Sequence, residues 1–287
     1  MKNRRDGIRV PETDPMHAVM PYMLPNRADN EAFISEEIDL SAITKYLEEK
    51  NASNPEYKYT FFHVICAAIA KIFYHRPHMN RFYAGYRLYD RKEITLAFVV
   101  KRQFDDKSDE VLSIVKIDKE SDESPIEQIH SKVQKIVFGV RKENKTDGAT
   151  DTMAILTKLP RPILKLVVKI LNALDYRGHY PKSLEKVDPY FASVFLSNLG
   201  SIKMNAGYHH LANRGTNSVF VVIGEKKNTP IFKEDGTFEM RETLPLGLTI
   251  DERIADGYYF SKTIRLLKKL AENPELLDRP LSEEVEF

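Results

Sequence analysis

One cysteine stands in the whole chain, Cys66, inside the apolar run Val-Ile-Cys-Ala-Ala-Ile-Ala. A single thiol excludes an internal disulfide framework, and its setting makes it a small core residue and not a nucleophile. A surplus of charge is missing too. The 43 basic residues face 42 acidic ones, for a net charge of +1. Nucleic-acid binding needs a basic excess or stripe, so the balance gives it no support. No uninterrupted apolar run is long enough to span a bilayer. The start, Met-Lys-Asn-Arg-Arg-Asp-Gly, is basic but has no apolar stretch behind it, as a signal peptide would. The expectation is a reduced, cytoplasmic protein with no nucleic acid and no membrane span.

What is present favours a substantial core: 42% of residues are hydrophobic and 30% charged. Prolines and glycines punctuate the first 30 residues (Gly7, Pro11, Pro15, Pro21, Pro25) between methionines 16, 20 and 23. Residues 1–32 therefore read as an extended arm lying on a body that begins at 33. A strand is expected over 33–40, then a helix to about Lys50 capped by Asp39 or Ser41. Thr60 caps an apolar helix over 61–74, and Pro77 ends it. Strands at 82–89 and 94–100 read as a hairpin through Asp90-Arg91-Lys92. A charged turn follows at 105–110 and a strand at 111–117. Ser124-Pro125-Ile126-Glu127 opens a helix to about Arg141, and 142–151 is polar.

The next helix, 162–174, is strongly apolar. A buried helix with Lys165 and Lys169 at its wet edge is favoured over a membrane-surface or partner-binding helix, whose basic face is usually richer. In the last third, 191–196 and 218–223 read as strands, the second buried on both faces. Glu234-Asp235-Gly236-Thr237 is a hairpin turn. A strand at 244–250 precedes a closing helix at 260–271. Helices and strands mix without regular alternation, which favours one α+β domain.

Five segments then fall into one order. They are the apolar helix with Pro77-His78-Met79-Asn80, the turn Ser197-Asn198-Leu199-Gly200, the strand ending at Gly224, Asp251-Glu252-Arg253-Ile254-Ala255-Asp256-Gly257, and Glu272-Asn273-Pro274. This order resembles the catalytic core of the 2-oxoacid dehydrogenase acyltransferases, whose fold is shared with chloramphenicol acetyltransferase. The resemblance covers roughly residues 33 to 278. It implies a mixed β-sheet flanked by helices, a homotrimer, and an active-site channel between subunits. Coenzyme A enters such a channel from one end and the acyl acceptor from the other. It also implies an acyltransferase-like core at 33–287 without the family's lipoyl and subunit-binding domains. The acceptor is then a small molecule or a lipoyl-bearing protein.

By the same resemblance Glu252 occupies the position of the catalytic histidine. A glutamate is the weaker base toward a thiol, although burial beside Asp256 would raise its basicity. Ser197 takes the place of the oxyanion donor and Asp256 that of the structural aspartate; the path expected of the arm makes Arg27 a candidate partner for Asp256. Arg253, Gly257, Asn198 and Gly200 complete the motif. Gly257 is expected to permit a tight turn, and Arg253 either matches the family arginine or makes a surface ion pair. Ser197 either points at the oxyanion or caps a turn with Asn198. His209 and His210 are alternative bases, although adjacent residues point apart. No second ligand cluster accompanies them, which argues against a metal. His63, His75, His78 and His179 read as ordinary polar residues at helix ends and loops. Three functions remain open: acyl transfer between coenzyme A and a thiol, hydroxyl or amine; a non-catalytic trimer that assembles or binds acyl-coenzyme A; and thioester hydrolysis.

Overall fold

A computed structural model describes residues 3–11, 14–101, 110–142 and 156–287. Its backbone is a mixed sheet in the order β2-β10-β8-β7-β5-β6, with β9 pairing β10 off that path. These strands are β2 (Glu31–Asp39), β5 (Ile94–Lys101), β6 (Glu110–Ile117), β7 (Val194–Asn198), β8 (Val219–Ile223), β9 (Lys227–Phe232) and β10 (Phe238–Asp251). The β5–β7 and β7–β8 pairs are parallel and the other pairs antiparallel. β8 is buried at all five positions, as its unbroken Val-Phe-Val-Val-Ile run requires in the middle of a covered sheet.

One face carries the main core beneath α2 (Ser41–Lys50), α3 (Phe61–His75), α4 (Pro125–Lys142) and α7 (Gly257–Glu272). α3 is buried from His63 through Phe73. Lys71 lies fully inside it, and its ammonium donates to the carbonyls of Leu276 (2.9 Å) and Pro280 (3.1 Å). The opposite face is covered locally by residues 199–211 over Phe195, Phe220 and Val222. That cover lies close because of two glycines. A Cβ on Gly200 would sit 2.3 Å from the Gly224 carbonyl oxygen, and one on Gly247 2.0 Å from that of Gly207.

Several expectations need correction. The stretch 82–89 is not one strand. Gly85 (φ 57°) and Tyr86 (φ 61°) turn it into the tight hairpin β3 (Arg81–Ala84) and β4 (Arg87–Arg91), because two successive left-handed residues match the strand twist. β4 then pairs β3 and β1 (Gly7–Arg9) in a separate three-stranded sheet, while β5 pairs β6 and β7. The first 30 residues are not simply extended, since Pro15–Met23 forms α1, capped by Asp14 accepting from the Met16 amide. Its Met16, Tyr22 and Met23 are exposed within one chain.

The apolar helix is α5 (Arg161–Tyr176), and no residue of it is buried. It leans on the body through half-buried Leu164, Val167, Leu171 and Leu174. A short helix, α6 (Lys182–Glu185), follows it. Glu110 lies in β6 and Lys142 ends α4; otherwise the expected charged turn at 105–110 and the polar stretch 142–151 lie outside the described residues.

Candidate functional site

β10 ends on Asp251, a carboxylate with no solvent exposure. Burial is tolerated because two cations meet it. Arg253 binds it side-on, Nε to Oδ1 and Nη2 to Oδ2, both at 2.8 Å. Arg27 brings Nε to 3.5 Å from Oδ2. The remaining donors of the two guanidiniums tie distant segments together. Arg253 donates to the Leu24 carbonyl (3.1 Å), and Arg27 to those of Ala212 (2.7 Å), Tyr83 (3.1 Å) and Gly215 (3.1 Å). Burial, with Arg253 nearby, lowers the Arg27 pKa against the pull of Asp251.

This arrangement differs from the sequence reading in two ways. Arg253 is not a surface ion pair, and Arg27 meets Asp251 and not Asp256. Asp256 caps α7 instead, its Oδ1 accepting from the Tyr259 amide at 2.7 Å. Gly257 needs no special backbone, and a Cβ there would meet open space. Glu252 sits between the clamped Asp251 and Arg253, which anchor the backbone on either side of it. Its own side chain is exposed and makes no hydrogen bond or ion pair among the described residues. The burial expected to strengthen it as a base is absent within one chain.

The second half of the site is the turn after β7. Asn198 caps it: its Oδ1 accepts from the Ser201 amide (3.3 Å) and its carbonyl from the Ser201 hydroxyl (2.7 Å). Ser197 takes no part in that cap. Its hydroxyl has no hydrogen bond among the described residues and lines a cavity of ≈ 300 Å³. The same cavity is lined by Thr60, Phe62, His63, Lys101 and Arg141.

His63 is the residue that sequence reasoning missed. It stands three places after the cap Thr60, where a capping box carries Glu or Gln. Its Nδ1 accepts from the Thr60 amide at 3.0 Å. The proton therefore sits on Nε2, which is buried and has no partner among the described residues. Burial, with His130 close by, pushes its pKa down to about 3. The sequence signal was there: a residue with side-chain acceptors at the third helical position.

His209 and His210 are both exposed, and neither lines the Ser197 cavity. His209 stacks on Phe220 with ring centroids 4.2 Å apart and an interplanar angle of 7°. Glu252 does not line that cavity either. One chain thus does not bring Glu252 and Ser197 to one cavity. Among the described residues no group of three or more His, Cys, Asp or Glu is placed to hold a metal ion.

Residues 182–278 match the family model of the 2-oxoacid dehydrogenases acyltransferase catalytic domain. Among solved structures, a dihydrolipoamide acetyltransferase from Azotobacter vinelandii aligns at 15% identity and TM-score 0.59, over 93% of this chain and 94% of that one. The cubic core of a pyruvate dehydrogenase multienzyme complex aligns at 16% identity and TM-score 0.59, over the same shares. The chain has the acyltransferase-core fold. Chloramphenicol acetyltransferase, at 11% identity and TM-score 0.55, covers 92% of this chain and 99% of its own. No curated protein sequence matches.

The matched stretch takes in both the turn at Ser197 and residues 251–257. The Azotobacter enzyme has been probed for the roles of a serine, a histidine and an asparagine in catalysis. In this chain the Asp251–Arg253 clamp and the Asp256 helix cap lie on either side of Glu252.

Proposed function

We propose that the protein transfers an acyl group between coenzyme A and a thiol, hydroxyl or amine acceptor, at a site shared between the subunits of a homotrimer. One observation carries this reading. Ser197 offers an unused hydroxyl to a cavity, while Glu252 is anchored on an exposed turn outside it. A neighbouring copy can complete what one chain leaves open. The exposed side chains of Phe232, Phe238 and Met240 on the β9–β10 hairpin, and of Met16, Tyr22 and Met23 on α1, supply apolar surface for such contacts. Lys101 and Arg141 in the cavity lining, against the one carboxylate of Glu110, leave a net positive charge suited to the phosphates of coenzyme A.

In this mechanism Glu252 accepts the proton of the acceptor thiol or hydroxyl as its heteroatom attacks the thioester carbonyl. The carbonyl oxygen becomes an oxyanion and takes a hydrogen bond from Ser197, an interaction worth about 3 kcal/mol when well aimed. The tetrahedral intermediate then breaks its C–S bond, and the coenzyme A sulfur leaves as thiolate, which receives the proton from Glu252. The acceptor is a small molecule or a lipoyl-bearing partner.

A second reading has its own observation. Glu252 is exposed and has no partner among the described residues, which suits a trimer that assembles or binds acyl-coenzyme A without turning it over. Light scattering and acetyl transfer to a small dithiol test both. A trimer whose turnover is lost in Glu252→Gln, with coenzyme A binding retained, supports the enzyme. A trimer that binds coenzyme A but is inactive supports the second reading. A monodisperse monomer of 33.1 kDa rejects the shared site.

A further inference from the structure

α5 lies outside the matched family stretch, which begins at residue 182. Its surroundings differ from those of every other long helix. It has no buried residue, and Ile163, Leu166 and Ile170 are 49%, 56% and 50% exposed. These three recur at spacings of three and four and so share one stripe. Arg161, Lys165 and Lys169 recur every fourth residue and form a second stripe beside it. From residue 156 through 174 there is no acidic residue at all. None of the three cations makes an ion pair among the described residues. The first acid, Asp175, is already taken by Arg4 at 2.8 Å, which ties the C-terminal end of the helix to the body.

We propose that α5 docks the protein onto an anionic lipid surface. The helix would lie in the plane of the interface, with Ile163, Leu166 and Ile170 entering the acyl boundary and the three cations facing lipid phosphates. A helix of strong two-faced character with Lys and Arg on the polar side is the chemistry such surfaces recognise. The charges favour lipid over a two-fold contact of α5 with itself. Such a contact would place Arg161, Lys165 and Lys169 against their like, and the one acid on the helix, Asp175, is already paired with Arg4. The helix does not cross the bilayer: no helix among the described residues is long and apolar enough to span a membrane.

The test is flotation of the full chain with phosphatidylcholine vesicles, with and without roughly a third phosphatidylserine. The protein should float with the anionic vesicles, and high salt should weaken that binding. Lys165→Gln with Lys169→Gln should reduce it about fivefold per charge removed. Leu166→Ser with Ile170→Ser should reduce it about tenfold or more. All four side chains are exposed, so circular dichroism should match wild type. Wild-type protein that stays unbound to anionic vesicles overturns the proposal. So does binding that neither double variant changes. A lipid-free change of mass in the Leu166/Ile170 variant, seen by light scattering, would make the face a contact between copies and overturn it as well.

Discussion

Lowering the pH from 8 to 5 should cost this protein stability through His63 in particular. The ring is 1% exposed, and its pKa falls from 6.5 to about 3, first because burial penalises the charged form and then because His130 is near. The folded value lies below the unfolded one. The unfolded chain therefore binds the extra proton between the two, and stability rises with pH across that window. The contribution is complete above about pH 6.5 and is lost progressively toward pH 3. At pH 5 the unfolded ring is already protonated and the folded ring is not, which amounts to a loss of about 2 kcal/mol; at pH 4 the loss is about 3 kcal/mol.

The comparison protein is His63→Gln. A glutamine at this place in a capping box still accepts from the Thr60 amide but does not titrate. Urea unfolding of both proteins at pH 8 and pH 5, at one chain concentration, isolates the His63 share from every other titrating group. Wild type should lose about 2 kcal/mol more than the variant over that interval. If the two lose the same amount within about 0.5 kcal/mol, the ring is not held neutral, and the assignment of its Nε2 as a buried, protonated nitrogen is wrong.

Two further outcomes bear on the signature turn. Glu252→His should raise acetyl transfer from acetyl-coenzyme A to a dithiol by about a hundredfold or more, since a base of suitable pKa is then in place; a folded, coenzyme A-binding variant with no gain in a thiol-release assay would mean that more than the base is missing. Asp251→Ala should destabilise the fold by about 3–5 kcal/mol, because it leaves Arg253 and Arg27 buried beside each other without a carboxylate; a change under about 1 kcal/mol in denaturant unfolding would show that the clamp is incidental.

Much of the architecture was legible because local patterns decide it. The apolar helix after Thr60, the β8 run and the Gly236 turn each rest on periodicity, capping or backbone permission, which act over a few residues. The order of five segments, from the helix before Pro77 to Glu272-Asn273-Pro274, pointed to the fold. The partner of Arg27 was not legible. Asp251 and Asp256 are equally acidic in sequence, and only burial at the end of β10 separates a clamp from a helix cap. His63 looked ordinary because Tyr59 and Phe62 beside it are ordinary aromatic neighbours, while the ring of His130, far off in sequence, packs on it only in the fold.

α5 shows where the two kinds of information part. The sequence determined its amphipathic pattern and its three unopposed cations, because side-chain spacing fixes which residues share a helix face. A buried helix and an exposed one can share that pattern. Only the tertiary structure decided the matter, by leaving every residue of α5 outside the core. The same holds for the site: sequence supplied Ser197 and Glu252, and the packing of one chain places the first in a cavity and the second on an exposed turn. Burial is a property of what the rest of the chain fills, and no local run of residues contains it.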